Sequence, residues 1–154
     1  MNGWMWFAWN HSHWLGPLLI AIGGACGAAA RFVMAEAMKA WRPTSMPWGT
    51  MMVNILGSFI IGMLTVVVSF VVRWMSAAPQ AASGAWMTAA YLLLATGFCG
   101  GFTTFSTATV ESVTLARNGR WREAIASVAI TLVATVFAVT LGAYVGAQLA
   151  IMGV

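Results

Sequence analysis

Neutral polar residues recur at helical spacing inside long stretches of this chain that carry no charge. Thr50, Asn54, Ser58, Gly62 and Thr65 follow one another at intervals of three and four, which puts them on one face of a helix. Thr96, Gly100, Thr103 and Thr107 do the same, and Ser127, Thr131 and Thr135 recur every four residues. One hydroxyl in an apolar helix means little, because it can bond back to its own backbone. Aligned stripes on three apolar segments point instead to a polar pathway, since polar groups in a membrane are costly and turn inward. The stripes offer hydrogen-bond donors and contain no carboxylate, so they suit an anion better than a cation. Asn54 is the strongest single residue: its amide carries two N–H donors well inside an uncharged span.

The run GFCGGFTTFSTATVES, residues 97–112, carries a second chemistry. Gly97, Gly100 and Gly101 weaken a helix, and the Thr and Ser that follow compete for its backbone hydrogen bonds. The run predicts a helix broken near the membrane midplane. Broken backbone is tolerated there only where protein or a lined cavity re-satisfies it. Freed carbonyls are a natural cation site. Phe102 and Phe105 flank the break, and a phenyl ring has a positive edge that can meet an anion without a formal charge.

Other chemistries lack their residues. Cys26 and Cys99 lie in apolar segments, with neither metal-ligand spacing nor a disulfide framework. His11 and His13 stand without further ligands. No nucleophile–base pair or metal cluster is visible, which argues against an enzyme. The net charge of +4 comes from seven cations spread over loops. That is no nucleic-acid footprint, but it is what the positive-inside rule expects.

The elements that position the stripes follow from composition. Of the 154 residues, 61% are hydrophobic and 6% are charged, against roughly 25% charged in soluble domains. A spanning helix needs about 20 apolar residues, and charges punctuate the chain into four such spans, roughly 16–38, 48–72, 86–116 and 124–152. The expected fold is an all-α integral membrane protein, one membrane domain over residues 1–154. Pro43 and Pro47 bar helical continuation in the first loop. Pro79 lies in the second, and Asn118-Gly119 makes the turn of the third. Gly23 with Gly27, and Gly142 with Gly146, have the spacing that lets helix backbones approach closely in lipid. Residues 1–15 hold Trp4, Trp6, Trp9 and Trp14, which suits an interfacial segment, and they lack the basic start and cleavage site of a secretory signal.

Three segments carry a resemblance. GGACGAAARF (23–32), GTMMVNILGSFIIG (49–62) and GFCGGFTTFST (97–107) resemble, in order and spacing, the signatures of the Fluc/CrcB fluoride channels. The likeness covers most of the chain beyond its Trp-rich start. It implies passive fluoride efflux from a bacterial cell, through antiparallel dimers in the inner membrane. It also implies a structural sodium ion, not transported, held by main-chain carbonyls that match Gly100 and Thr103. By the same resemblance the pore residues match Asn54, Phe105, Ser106, Thr107 and Arg31, and the fourth-helix hydroxyls match Thr131 and Thr135. From the residues alone, Arg31 reads only as a snorkelling side chain. Two positions depart from the family: a second pore phenylalanine falls at Ala108, and a pore tyrosine of some members falls at Ser127.

A small proton-coupled exporter is the rival, because it shares four short helices. It needs a mid-membrane carboxylate, whereas Glu36, Glu111 and Glu123 lie toward the ends of spans. The partner implied is a second channel subunit. Lys39, Arg42, Arg117, Arg120 and Arg122 lie in the first and third loops, against Arg73 in the second. That bias predicts both termini outside and insertion mostly one way. The resemblance implies a dual-topology antiparallel homodimer, and the bias adds the alternative of an oppositely oriented homologue as partner, with this chain as one half of a heterodimeric channel.

Overall fold

The computed structural model describes residues 14–41, 44, 46–76 and 84–152. The interfacial segment expected over residues 1–15 falls almost wholly outside these, as do His11 and His13. Helix α1 is Leu15–Trp41, α2 is Trp48–Ser76 and α3 is Gly84–Tyr91. A π-helical segment, Leu92–Cys99, continues α3 into a short α4, Gly100–Phe102. Two extended residues, Thr103 and Thr104, separate α4 from α5, Phe105–Arg117, and α6 is Trp121–Ile151. The described residues hold no strand.

Four helical stretches are long and apolar enough to cross a membrane: Leu15–Trp41, Trp48–Val71, Trp86–Arg117 and Trp121–Ile151. The first ends three residues beyond the expected span and the fourth starts three residues before it, while the other bounds agree within one residue. A charge ends an apolar run without ending the helix, as Lys39 near the end of α1 and Glu123 in the first turn of α6 show. Both positions suit the helix dipole. Between α5 and α6 the chain closes with a Schellman pattern: Arg120 N donates to Leu115 O and Gly119 N to Ala116 O. Gly119 supplies the φ of +77° that this turn requires.

Glycines set the packing. A methyl placed on Gly23 or Gly27 would sit 2.1 Å from the carbonyl oxygen of Leu93 or Phe98, so α1 lies backbone against backbone on the third span. Gly142 meets the carbonyl of Phe59 and Gly146 that of Met63, which joins α2 to α6. Both expected close-packing pairs therefore serve that purpose. Outside these seams much of the surface is apolar, with Leu18, Ile22, Val33, Val136, Phe137 and Leu141 exposed, as befits helices facing lipid.

Candidate functional site: the break in the third span

The break sits two residues after the glycines thought to cause it. Gly97 packs against the carbonyl of Ile20 and Gly101 against that of Gly24. These two glycines are a packing surface, and the helix runs through them. It stops at Thr103 (φ −78°, ψ 156°) and Thr104 (φ −151°, ψ 122°). Phe102 is also core: it is 6% exposed and its ring stacks on Phe98 at 5.7 Å. It does not offer an edge to an ion. Phe105 does the opposite, with 88% of its surface exposed at the first position of α5.

Asn54 reaches the break from α2. Its Nδ2 donates to Thr104 O at 2.9 Å, and Thr104 N donates to its Oδ1 at 2.8 Å. One amide side chain thus satisfies both main-chain groups of an extended residue that has no ladder to join, and one Nδ2 hydrogen stays outside this pair. The Thr104 hydroxyl caps α5. It accepts from Thr107 N at 3.2 Å, donates to Thr107 Oγ1 at 3.0 Å and lies 3.4 Å from Ser106 Oγ.

Two grooves flank the break. The larger, about 1060 Å³, is lined by Asn54, Phe105, Thr131 and Thr135 together with Gly100 and Thr103. Thr50, Ser58, Thr96, Ala108 and Ser127 also line it. The second-helix stripe faces it only in part, because Gly62 is buried against the Val139 carbonyl and Thr65 bonds back to Ile61 O. The smaller groove, about 680 Å³, holds Arg31 and Thr107. Thr107 therefore leaves the face it would share with Thr96, Gly100 and Thr103 on a continuous helix, because two extended residues reset the helical phase. Ser106 is exposed and lines neither of the two grooves.

The smaller groove carries the formal charges. Arg31, Lys39 and Arg120 line it with Glu36 and Glu111. Lys39 pairs with Glu36 at 2.8 Å, and Arg120 pairs with Glu123, its Nε lying 2.8 Å from Oε1. Arg31 belongs to neither pair. In the larger groove the polar groups are neutral apart from Glu111. The hydroxyls of Thr131 and Thr135 donate to Ser127 O and Leu132 O, so each must turn from a backbone carbonyl to meet an anion.

Gly100 and Thr103 suit a hard cation by the chemistry of their donors, which are uncharged main-chain oxygens at a helix break. Gly100 is exposed, and nothing lies within 4 Å of where its Cβ would be. Sequence reasoning missed two residues. Thr104 is only 7% exposed and borders both grooves. Its one signal was its place between the glycines and Phe105. Glu111 also borders both grooves, and its Oε2 is buried without a hydrogen-bond partner among the described residues. It sits six residues before the end of α5, roughly 9 Å along the axis. The sequence signal was a carboxylate followed by five uncharged residues before Arg117.

Comparison with known proteins bears on this site. The model of the family described as "CrcB-like protein, Camphor Resistance (CrcB)" matches residues 18–143. The chain is similar to the fluoride-specific ion channel FluC of Magnetococcus marinus, with 39% identity over 127 residues, 82% of this chain and 94% of that protein. It is 40% identical over 130 residues to fluoride-specific ion channel FluC 1 of Geobacillus kaustophilus, covering 84% and 97% of the two chains. It is 33% identical over 136 residues to FluC of Hydrogenovibrio crunogenus, covering 88% and 94%. The matched region contains both grooves and the break.

Proposed function

This chain belongs to the CrcB-like protein family, and on that premise we propose that it is a fluoride-selective channel subunit whose ion path follows the larger groove. It is a multi-pass protein of the bacterial inner membrane. Fluoride enters a cell as the neutral acid, dissociates at cytoplasmic pH and must leave as an anion, so a passive path is enough to lower its concentration. A small, hard anion holds its water tightly. Groups that replace this water must donate hydrogen bonds without binding so strongly that the ion stays. The free Nδ2 hydrogen of Asn54, the edge of the Phe105 ring and the hydroxyls of Thr131 and Thr135 meet that need. Arg31, with Thr107 in the smaller groove, draws anions toward the entrance. Ser106, the residue after Phe105 and outside both grooves, joins the hydroxyl track only where a second subunit covers this face.

The observation that carries this reading is the exposure of Phe105, 88%, on the face shared with Asn54, Gly100, Thr103, Thr131 and Thr135. A second subunit laid antiparallel on this face would cover the ring and enclose the path. It would also bring a second pair of Gly100 and Thr103 carbonyls to the same place. Sodium bound there supplies a fixed positive charge and is not transported. The test is growth of a bacterium made fluoride-sensitive by loss of its own exporter. Expression of this chain is expected to restore growth in fluoride, and no rescue by protein present in the membrane in both orientations would refute the reading.

The loop charges favour a second form of the assembly, in which the partner is an oppositely oriented homologue. Cysteine labelling at Asn118 is expected to find most molecules in one orientation, with that loop inside. Equal populations in both orientations would restore the plain homodimer.

A further inference from the structure

In a continuous α-helix the N–H of residue i+4 bonds the carbonyl of residue i. The Gly100 carbonyl would then accept from Thr104 N, and the Thr103 carbonyl from Thr107 N. Both donors are engaged elsewhere. Thr104 N donates to Asn54 Oδ1 at 2.8 Å, and Thr107 N donates to Thr104 Oγ1 at 3.2 Å. Two side-chain oxygens therefore occupy the two amides whose helical acceptors are Gly100 and Thr103. The preceding turn stays helical, since Thr103 N still bonds Cys99 O at 2.9 Å. Asn54 also holds Thr104 O at 2.9 Å, so the extended residue is fixed from both sides.

We propose that Asn54 and Thr104 are positioning residues for the cation, holding the amides of Thr104 and Thr107 away from the Gly100 and Thr103 carbonyls so that those oxygens stay available to sodium. The inference rests on the channel reading for the identity of the ion, while the hydrogen-bond argument stands without it. Asn54 then has two tasks: one face of its amide maintains the break, and its remaining N–H meets the anion. Thr104 has the first task alone. Without its hydroxyl α5 loses its cap, and a Thr104 that turned helical would bring the Thr107 amide onto the Thr103 carbonyl.

Thr104→Val keeps the shape of this nearly buried residue and removes the oxygen, whereas Thr104→Ser keeps the oxygen. The readout is thermal unfolding of the purified assembly as sodium replaces N-methylglucamine at constant ionic strength. Sodium is expected to raise the wild-type Tm. Thr104→Val should need about tenfold more sodium for the same rise, and Thr104→Ser about the wild-type amount. A purely structural role would lower Tm equally at every sodium concentration. That result, or wild-type sodium dependence in Thr104→Val, overturns the proposal. Should Thr104→Val not assemble, Thr104→Cys replaces the hydroxyl with a weak acceptor and should fall between the two. Wild-type sodium dependence in Thr104→Cys would then overturn it instead. A wild-type protein that sodium stabilises but that passes no fluoride would refute the channel reading and leave this assignment standing. A fluoride-passing wild type whose Tm ignores sodium would overturn this assignment alone.

Discussion

The groove at Arg31 and the groove at Phe105 share Pro47, Thr50, Thr104 and Glu111 as walls, yet their other residues differ in kind. The first adds Arg31, Glu36, Lys39 and Arg120, while the second adds an amide, hydroxyls, a phenyl ring and small residues. Full charges act over a distance and concentrate ions, and salt screens them. Neutral donors act at contact, and they can strip water from an ion and still let it go. On the proposed ion path, attraction and dehydration fall to the two grooves on either side of one break. Thr104 and Glu111 are where the two sides meet.

The largest expected effect lies in the neutral groove. Asn54→Asp should lower fluoride flux by at least about a hundredfold, about 2.7 kcal/mol in barrier. It loses the donor to Thr104 O and places a carboxylate on the proposed ion path. Reconstituted protein and a fluoride electrode give the measurement, and near-normal flux from an assembled variant would remove Asn54 from the path. Phe105→Ala comes next, with an expected loss of about tenfold, because on the proposed path the exposed ring edge is a contact station. An unchanged rate would mean that the ring only packs against a partner.

Arg31→Gln sharpens the comparison. Flux should fall about threefold at low salt, and the difference should vanish near 1 M salt, where the Debye length is about 3 Å. A loss that survives high salt would make Arg31 a contact site and blur the division between the grooves. The smallest effect is expected at Ala108, which lines the neutral groove three residues after Phe105. Residues at this spacing share a helix face, so Ala108→Phe should add a second ring edge and raise fluoride flux about twofold without admitting chloride. Unchanged or lower flux from an assembled Ala108→Phe protein would show that the groove already has its full set of stations.

Much of this organisation is legible in the sequence because it depends on local spacing. The four spans, the Gly23–Gly27 and Gly142–Gly146 seams and the Asn118-Gly119 turn follow from composition and period. The fourth-helix stripe also holds together, with Ser127, Thr131 and Thr135 on one groove. The position of the break is not local. It falls at Thr103–Thr104 because Asn54, fifty residues away, binds both main-chain groups of Thr104. Gly97 and Gly101, just before it, are packed against α1, and this tertiary packing overrides their low helix propensity. The transfer of Thr107 to the charged groove follows from the same break, so no helical period could have foretold it. Glu111 was passed over because counting residues to the next charge gives distance along the axis but not the direction in which a side chain is buried.

The central claim is passive and selective passage of fluoride, and efflux from proteoliposomes loaded with both fluoride and chloride tests it most directly. With the membrane potential shunted by a potassium ionophore, the wild-type protein should release fluoride down its gradient and retain chloride. Release of both anions at similar rates, or retention of fluoride by correctly assembled protein, would contradict the account.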